Sequence, residues 1–205
     1  MMPDYWRQAV RELSRRDAVL AQLVKRYPGV ALVSRGAPFS TLVRSIVGQQ
    51  ISVKAADSVW ARVSAAMPDL TPGAVLALSV EDLRACGLSA RKVEYIVDLA
   101  GHFVAGRIRV DAWPARDDAE IIAELTDVRG IGEWTAQMFL IFNLLRPDVL
   151  PLDDIGLQKA AATLYFAGQR PSRRQLAELS ERWRPWRSVA TWYLWRSLDP
   201  LPVEY

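Results

Sequence analysis

The sequence is poor in metal-binding and redox-active side chains: its 205 residues include a single cysteine, Cys86, and a single histidine, His102. One cysteine cannot form a disulfide within the chain. The two residues together are too few for a structural zinc site or for the cysteine ligands of an iron–sulfur cluster. These three features are therefore excluded for a single chain. We interpret His102 as an exposed or half-buried side chain with no catalytic role.

Long apolar runs and a secretion signal are also missing. No run approaches the roughly 20 apolar residues that a membrane-spanning helix requires. Residues 1–7 lack the apolar core of a signal peptide. These absences predict no membrane association and a cytoplasmic location, next to the nucleoid if the source is bacterial.

Neither sign of charge is in large excess. The chain has 26 lysine and arginine residues against 23 aspartate and glutamate residues, for a formal net charge of +3. This balance does not by itself require a nucleic-acid partner. With 51% hydrophobic residues, the chain can bury a substantial core.

Apolar residues recur mainly at helical spacing, and no long alternating pattern typical of strands is present. Thr71 followed by Pro72, and Ser79 followed by Asp82, are typical helix starts. Residues 134–145 are apolar on nearly every side, which predicts a helix that is buried all round. We therefore predict an all-α fold of about ten helices. Residues 111–114 are expected to form a loop, and the last helix is expected to cover residues 185–198.

A very tight turn is predicted where Gly130 and Gly132 flank Ile131 between two helical patterns, with unusual backbone angles at both glycines. The second helix should begin near Glu133 with its first amides unpaired. Together with the turn amides near Arg129 to Gly132, these would form an anion cradle suited to a phosphate.

Two adjacent carboxylates, Asp153 and Asp154, stand where a further helix should start. One is expected to cap the helix, and the other is then available for chemistry. Capping alone explains Asp153 well, and it is the competing explanation for Asp154.

Three segments of the sequence resemble a known family. The segment VRGIGEWTA at residues 128–136 is similar to the helix–hairpin–helix of the HhH-GPD superfamily of DNA glycosylases. The twenty-residue step from Trp134 to Asp154, with VGQQISV at 47–53 and WRPWRS at 183–188, resembles the 3-methyladenine DNA glycosylase II branch. The resemblance covers residues 20–198.

This resemblance implies a two-lobe helical fold with an active-site cleft between the lobes. A central helical domain is expected at residues 38–150, and a second lobe is expected from residues 1–37 together with 151–205. Longer bacterial members carry an additional β-rich domain, and this chain is expected to contain only the catalytic core.

The implied activity is hydrolysis of the N-glycosidic bond of alkylated purines, such as 3-methyladenine and 7-methylguanine, in damaged double-stranded DNA by base flipping. The protein is expected to act as a monomer. By resemblance, Asp154 is the catalytic carboxylate. Trp134 occupies the place of the Schiff-base lysine of bifunctional members, so no lyase activity is expected. The implied base pocket consists of Trp134, Met138, Tyr193 and Trp195. Met138 stands where the bacterial example has a tyrosine, and the tryptophans could instead be core aromatics.

The resemblance also assigns DNA contacts. Gln50 is the expected wedge that fills the gap left by a flipped nucleotide, with Ile51 as the apolar alternative. Ordinary loop polarity is the competing explanation for Gln49 and Gln50. The expected DNA-binding residues are Gln50, Ile51, Arg129, Gly130, Ile131 and Gly132. In the family, hairpin carbonyls often hold Na⁺ or K⁺, which here implicates Thr126, Val128 and Gly130. No other cofactor is expected.

Two other functions fit parts of this pattern. A non-catalytic DNA-binding protein could use the hairpin for grip alone, but it would not need Asp154 and an aromatic pair. An enzyme that removes oxidised bases and nicks the strand is disfavoured, because the lysine and the cysteine cluster are missing.

Overall fold

The computed structural model describes residues 2–34 and 36–198, which form twelve α-helices and two short 3₁₀ segments without any β-strand. The predicted all-α fold is confirmed. In chain order the helices are α1 Trp6–Arg16, α2 Ala18–Arg26, α3 Pro38–Gly48, α4 Val53–Ala66, α5 Pro72–Ala77, α6 Val80–Ala85, α7 Ala90–Val104, α8 Asp118–Thr126, α9 Glu133–Phe142, α10 Ile155–Tyr165, α11 Arg173–Ser180 and α12 Arg187–Leu198. Within the described ranges, no helix is both long enough and apolar enough to cross a membrane.

The helix starts follow from local side-chain chemistry. Thr71 accepts a hydrogen bond from the Ala74 amide at the start of α5. Ser79 and Asp82 form the capping box that the sequence predicts for α6. These side chains satisfy amides that have no partner within the helix, so each start is specified within four residues.

Helix ends and loops differ more from the sequence-based expectation. The buried helix expected at residues 134–145 ends at Phe142, because Leu145 adopts a left-handed φ of 55° that an α-helix cannot contain. A 3₁₀ segment covers Val110–Ala115, where a loop was predicted. Helix α12 starts at Arg187, two residues later than predicted.

Contacts within the described chain divide it into two units, one formed by residues 2–34 and 140–198 and the other by residues 36–139. The division falls within α9. The domain boundaries predicted from the resemblance, before residue 38 and after residue 150, stay a prediction. Residues 199–205 of the predicted second lobe lie outside the described residues.

In the first unit, α12 packs against α1, α2 and α10, and Ser188 to Leu194 are buried without interruption. Trp6 of α1 makes an edge contact with Trp192, with ring centroids 5.4 Å apart. A helix enclosed on so many sides has a fixed axial position and rotation. This packing fixes where the last turns of α12 place Trp195.

In the second unit, α7 packs against α3, α5 and α6. Its buried face carries Val93, Ile96, Leu99 and Ala100. The hairpin between α8 and α9 is held against the same helix by contacts described below. Helix α7 is therefore the common support for the elements of this unit that the sequence singles out.

Candidate active site

Asp154 is the N-cap of α10, and the residue is 8% exposed. Its Oδ1 accepts a hydrogen bond from the Leu157 amide at 2.6 Å and a second one from Trp195 Nε1 at 2.8 Å. The α10 amides lie at the positive end of the helix, where a carboxylate is stabilised. The structure therefore holds Asp154 in one orientation, with an indole N–H and a helix terminus as its partners.

The capping roles of the two aspartates are the reverse of the simplest prediction. Asp153 does not cap α10; its side chain is largely exposed and forms an ion pair with Arg173. Asp154 is the N-cap, and α10 starts directly after it at Ile155. The carboxylate expected to do chemistry is therefore also the one that caps the helix. Capping was the competing explanation for Asp154, but the two roles are compatible.

Trp195 reaches Asp154 because Gly156 leaves room for it. A Cβ added at Gly156 would lie 3.0 Å from Trp195 Cδ1 and 3.1 Å from Asp154 Oδ1. Both distances are shorter than most contacts that a Cβ atom makes in proteins. On its other side, the indole stacks on Phe142, with centroids 5.6 Å apart and an interplanar angle of 13°.

Hydrogen bonds and ion pairs connect the loop before Asp154 to the start of α12. Arg187 donates from Nε and Nη2 to the Asp148 carboxylate, at 2.8 and 2.9 Å, and Arg184 also donates to it at 2.9 Å. Ser188 Oγ accepts the Val149 amide at 2.9 Å. Asp148 was not identified from the sequence, because its partners lie 36 or more residues away and nothing local marks it.

Gly130 makes the turn before α9, with a left-handed φ of 84°. A Cβ at this position would lie only 2.1 Å from Cδ2 of Tyr95 on α7. Ile131 is 4% exposed and anchors the turn in the core. The expectation for Gly132 was wrong: its φ is not positive, and a Cβ there would meet nothing within 4 Å. The turn between α8 and α9 therefore needs a left-handed residue only at Gly130, and α9 begins directly after Gly132.

Not all of the turn amides remain available to an anion. The Arg129 amide donates to Asp98 Oδ2 at 2.9 Å, and the Ile131 amide donates to the Val128 carbonyl at 3.1 Å. Within residues 2–34 and 36–198, the amides of Gly130 and Gly132 have no protein acceptor. The anion cradle is therefore narrower than the sequence suggested and centres on the two glycines.

Asp98 of α7 holds this hairpin in place. Its carboxylate accepts the Arg129 amide and also contacts the Arg129 guanidinium at 3.3 Å. Burial raises the pKa of Asp98, but the amide, His102 and the Arg129 side chain outweigh burial, so its pKa lies below the usual value. The carboxylate is thus ionised at neutral pH and can hold the turn. Arg129 itself keeps 64% of its side chain exposed.

His102 differs from its predicted environment. It is only 7% exposed, with Nδ1 2.9 Å from the Asp98 carbonyl and Nε2 3.3 Å from Asp127 Oδ2. It therefore links α7 to the end of α8, just before the hairpin. A lone histidine in a helical pattern does not reveal such a contact, because Asp127 is 25 residues away.

The predicted base-pocket residues fall into two groups. Trp134 is 39% exposed at the start of α9, which favours a binding surface over a core role, and Met138 is 7% exposed one turn further on. Trp195 is half-buried beside Asp154 in the other unit. Tyr193 is 3% exposed and contacts Trp6 and Trp192, and burial raises its pKa, so its packing favours a core role. Assignment of these four residues to one pocket stays a prediction.

Gln50 and Ile51 lie in the loop between α3 and α4. Gln50 has a left-handed φ of 58° and is exposed, and Ile51 is 40% exposed. Gln49, which was not among the expected DNA contacts, donates from Nε2 to the Gly130 carbonyl at 2.9 Å. The structure therefore brings the predicted wedge and the predicted hairpin together within one unit.

The predicted cation ligands are partly engaged within the protein. The Val128 carbonyl accepts the Ile131 amide, and the Gly130 carbonyl accepts Gln49 Nε2. A carbonyl oxygen has two lone pairs, so one hydrogen bond leaves room for a cation. In the described part of the chain, no three His, Cys, Asp or Glu side chains are grouped as a metal site would require.

Residues 43–185 match the family model described as the HhH-GPD superfamily base excision DNA repair protein. The chain belongs to this superfamily. The matched range includes both the Gly130 turn and Asp154. The family assignment and the geometry therefore concern the same residues.

Named relatives agree with the predicted branch. The chain is 32% identical over 187 residues to DNA-3-methyladenine glycosylase 1 of Schizosaccharomyces pombe, covering 87% of this chain and 80% of that protein. It is similar to the crystal structure of DNA-3-methyladenine glycosidase from Bacillus halodurans, with a TM-score of 0.87, 36% identity and coverage of 93% and 89%. It is also similar to the S. pombe enzyme Mag1 in complex with abasic DNA, with a TM-score of 0.81, 31% identity and coverage of 97% and 99%.

We expect Trp195→Phe to lower the rate of base release about tenfold, because it removes the N–H donor to Asp154 while preserving an aromatic ring beside Phe142. The measurement is single-turnover release of a labelled base. Trp186→Phe is the matched control, since Trp186 Nε1 donates to a different carboxylate, Glu12, at 2.9 Å. An equal loss in both variants would show that the Trp195 hydrogen bond only stabilises the fold.

Proposed function

We propose that the protein is a monofunctional DNA glycosylase that releases alkylated purines, such as 3-methyladenine and 7-methylguanine, from damaged double-stranded DNA. The observation that carries this proposal is Asp154, a carboxylate held by a helix N-terminus and by Trp195 in a chain of this superfamily. A protein that only grips DNA has no need for a carboxylate held in this way.

Hydrolysis of the N-glycosidic bond of an alkylated purine requires one carboxylate and no strong acid. As the bond between the purine nitrogen and C1′ lengthens, its electron pair leaves with the base and positive charge develops on the sugar. The Asp154 carboxylate stabilises that charge and takes a proton from the water that attacks C1′. An alkylated purine already carries a positive charge, so it leaves as a neutral base without a strong acid. A site without a catalytic histidine is consistent with this demand.

Trp134 supports two parts of the proposal, the absence of a lyase step and the preference for alkylated bases. It stands where bifunctional members carry a lysine, so the product is an intact abasic site. Its exposed indole offers an electron-rich face, which attracts cationic bases more strongly than neutral ones. Selectivity for alkylated over normal purines then arises in part from ring charge.

The DNA backbone is gripped through amides more than through charge. The Gly130 and Gly132 amides and the start of α9 form the proposed phosphate site. Residues 36–139, which contain this turn, include more acidic than basic side chains. This unit therefore carries no net positive charge, and oriented amides, beside the exposed Arg129, are the better explanation for binding at the hairpin.

A monovalent cation, Na⁺ or K⁺, is a further part of the proposal. The carbonyls of Thr126, Val128 and Gly130 would hold it at the hairpin, and it would supply positive charge near the bound phosphate. We also propose that the protein acts as a monomer in the compartment that contains the DNA.

The test is to incubate the protein with methylated duplex DNA and to separate the released bases by chromatography. We expect free 3-methyladenine and 7-methylguanine, and strands that break only after heat or alkali. Absence of released base would overturn the proposed activity. Strand breaks formed without heat or alkali would overturn the monofunctional assignment.

A further inference from the structure

The loop that carries the proposed wedge is held in an unfavourable conformation. We call residues 49–52, between α3 and α4, the wedge loop. Gln50 in this loop has φ 58°, a region that side chains with a Cβ rarely occupy. Such a residue stays there only where the surrounding structure holds it. Two contacts made by residues just before Gln50 supply that restraint.

The first restraint is the Gln49 side chain. Its Nε2 donates to the Gly130 carbonyl at 2.9 Å, although the two residues are 81 positions apart. Gly130 is the left-handed residue of the turn, and its amide belongs to the proposed phosphate site. One hydrogen bond therefore joins the wedge loop to the phosphate-binding turn.

The second restraint is Lys92 of α7, whose Nζ donates to the Val47 carbonyl at 2.7 Å. Val47 is in the last turn of α3, two residues before the wedge loop, where helix carbonyls lack partners and a cation is favoured. Burial lowers the pKa of Lys92. A partly buried ammonium needs an acceptor, and this carbonyl supplies one.

Helix α7 supports both elements from one face. Lys92, Tyr95 and Asp98 follow each other at intervals of three residues, so they lie along one side of the helix. Lys92 contacts the end of α3, Tyr95 packs against Gly130, and Asp98 accepts the Arg129 amide. About 9 Å of helix, six residues at 1.5 Å each, therefore separates the two attachment points.

We propose that Gln49 and Lys92 are positioning residues that hold the wedge loop at a set distance from the phosphate-binding turn. This inference rests on the proposed function, in which the Gly130 turn grips the backbone and Gln50 or Ile51 enters the gap of a flipped nucleotide. When a phosphate binds at the turn, the wedge is already in place beside the nucleotide. The protein thus avoids ordering the loop during extrusion.

This arrangement separates gripping from insertion. The turn keeps its Asp98 and Tyr95 contacts when Gln49 is altered, so the grip on undamaged DNA should persist. The wedge loop loses its restraint, so the fraction of complexes with an inserted wedge should fall. A purely structural role would instead lower both quantities together.

The experiment uses a duplex with a tetrahydrofuran abasic-site analogue flanked by 2-aminopurine, whose fluorescence reports a side chain entering the gap. The variants are Gln49→Ala and Lys92→Met, with Lys92→Arg as the conservative replacement. Gln8→Ala is the matched control, because Gln8 donates to Glu12 at 2.9 Å on the exposed face of α1. The dissociation constant for undamaged duplex is measured in parallel, at temperatures where all variants are folded.

We expect the insertion equilibrium to fall about 3- to 10-fold in Gln49→Ala and Lys92→Met, the effect of losing one hydrogen bond. Binding of undamaged duplex should change less than about 2-fold. Lys92→Arg and Gln8→Ala should keep the original fluorescence response.

Unchanged insertion in Gln49→Ala and Lys92→Met would overturn this inference alone. Equal losses of insertion and of undamaged-duplex binding would also overturn it, because they indicate a structural role. Absence of insertion by the unaltered protein would contradict the proposed function, and this inference with it.

Discussion

Replacing Asp154 with asparagine is expected to lower the rate of base release by at least about a hundredfold, while the protein stays folded and binds DNA. The substitution removes the negative charge that opposes the developing charge on the sugar. Asparagine is as good an N-cap as aspartate, so its side-chain oxygen can still accept the Leu157 amide. The free energy of unfolding should therefore change by less than about 1 kcal/mol. Single-turnover base release and chemical unfolding measure the two effects separately.

Asp153→Asn is the matched control for this prediction. It makes the same chemical change one residue earlier, on an exposed carboxylate that pairs with Arg173. We expect nearly full activity, since exposed ion pairs contribute little to stability. Full activity in Asp154→Asn, or an equal loss in both variants, would contradict the proposed mechanism.

The parts of the fold that the sequence predicts are those determined within a few residues. Thr71 with Pro72, and Ser79 with Asp82, mark helix starts because the capping side chain and the amide it satisfies are three residues apart. Helical spacing of apolar residues likewise predicts the all-α class. These signals need no knowledge of distant contacts, so they are visible in a single sequence.

The parts that the sequence misses depend on distant contacts. The choice between Asp153 and Asp154 as N-cap depends on where the preceding loop ends, and that loop is fixed by the Asp148–Arg187 pair, 39 residues apart. The burial of His102 depends in the same way on Asp127. Local capping preferences cannot decide between two adjacent aspartates.

The candidate site shows the same division. The resemblance places Asp154 and Trp195 in it, but only the structure shows that the indole N–H reaches the carboxylate and that Gly156 makes room for the ring. The link from Gln49 to Gly130 spans 81 residues. Polar loop residues are common, so Gln49 carries no signal of its own in the sequence.

The second large effect is expected for Gly130→Ala, which should lower the free energy of unfolding by about 2–5 kcal/mol. An alanine with φ near 84° is strained, and its Cβ would lie 2.1 Å from the ring of Tyr95. Relief of that overlap must move either the ring or the turn. Movement of the turn displaces the Gly130 amide, so affinity for undamaged duplex should also fall.

Gly132→Ala provides the control, because the φ of Gly132 is not positive and a Cβ there would meet nothing within 4 Å. Its free energy of unfolding should change little. The double variant Tyr95→Ala with Gly130→Ala separates the two causes, since it removes the overlap and leaves the backbone strain. We expect it to be less stable than Tyr95→Ala by only about 1–2 kcal/mol. Equal stabilities of Gly130→Ala and Gly132→Ala would mean that the left-handed turn is not what holds the hairpin, and that the two glycines are interchangeable.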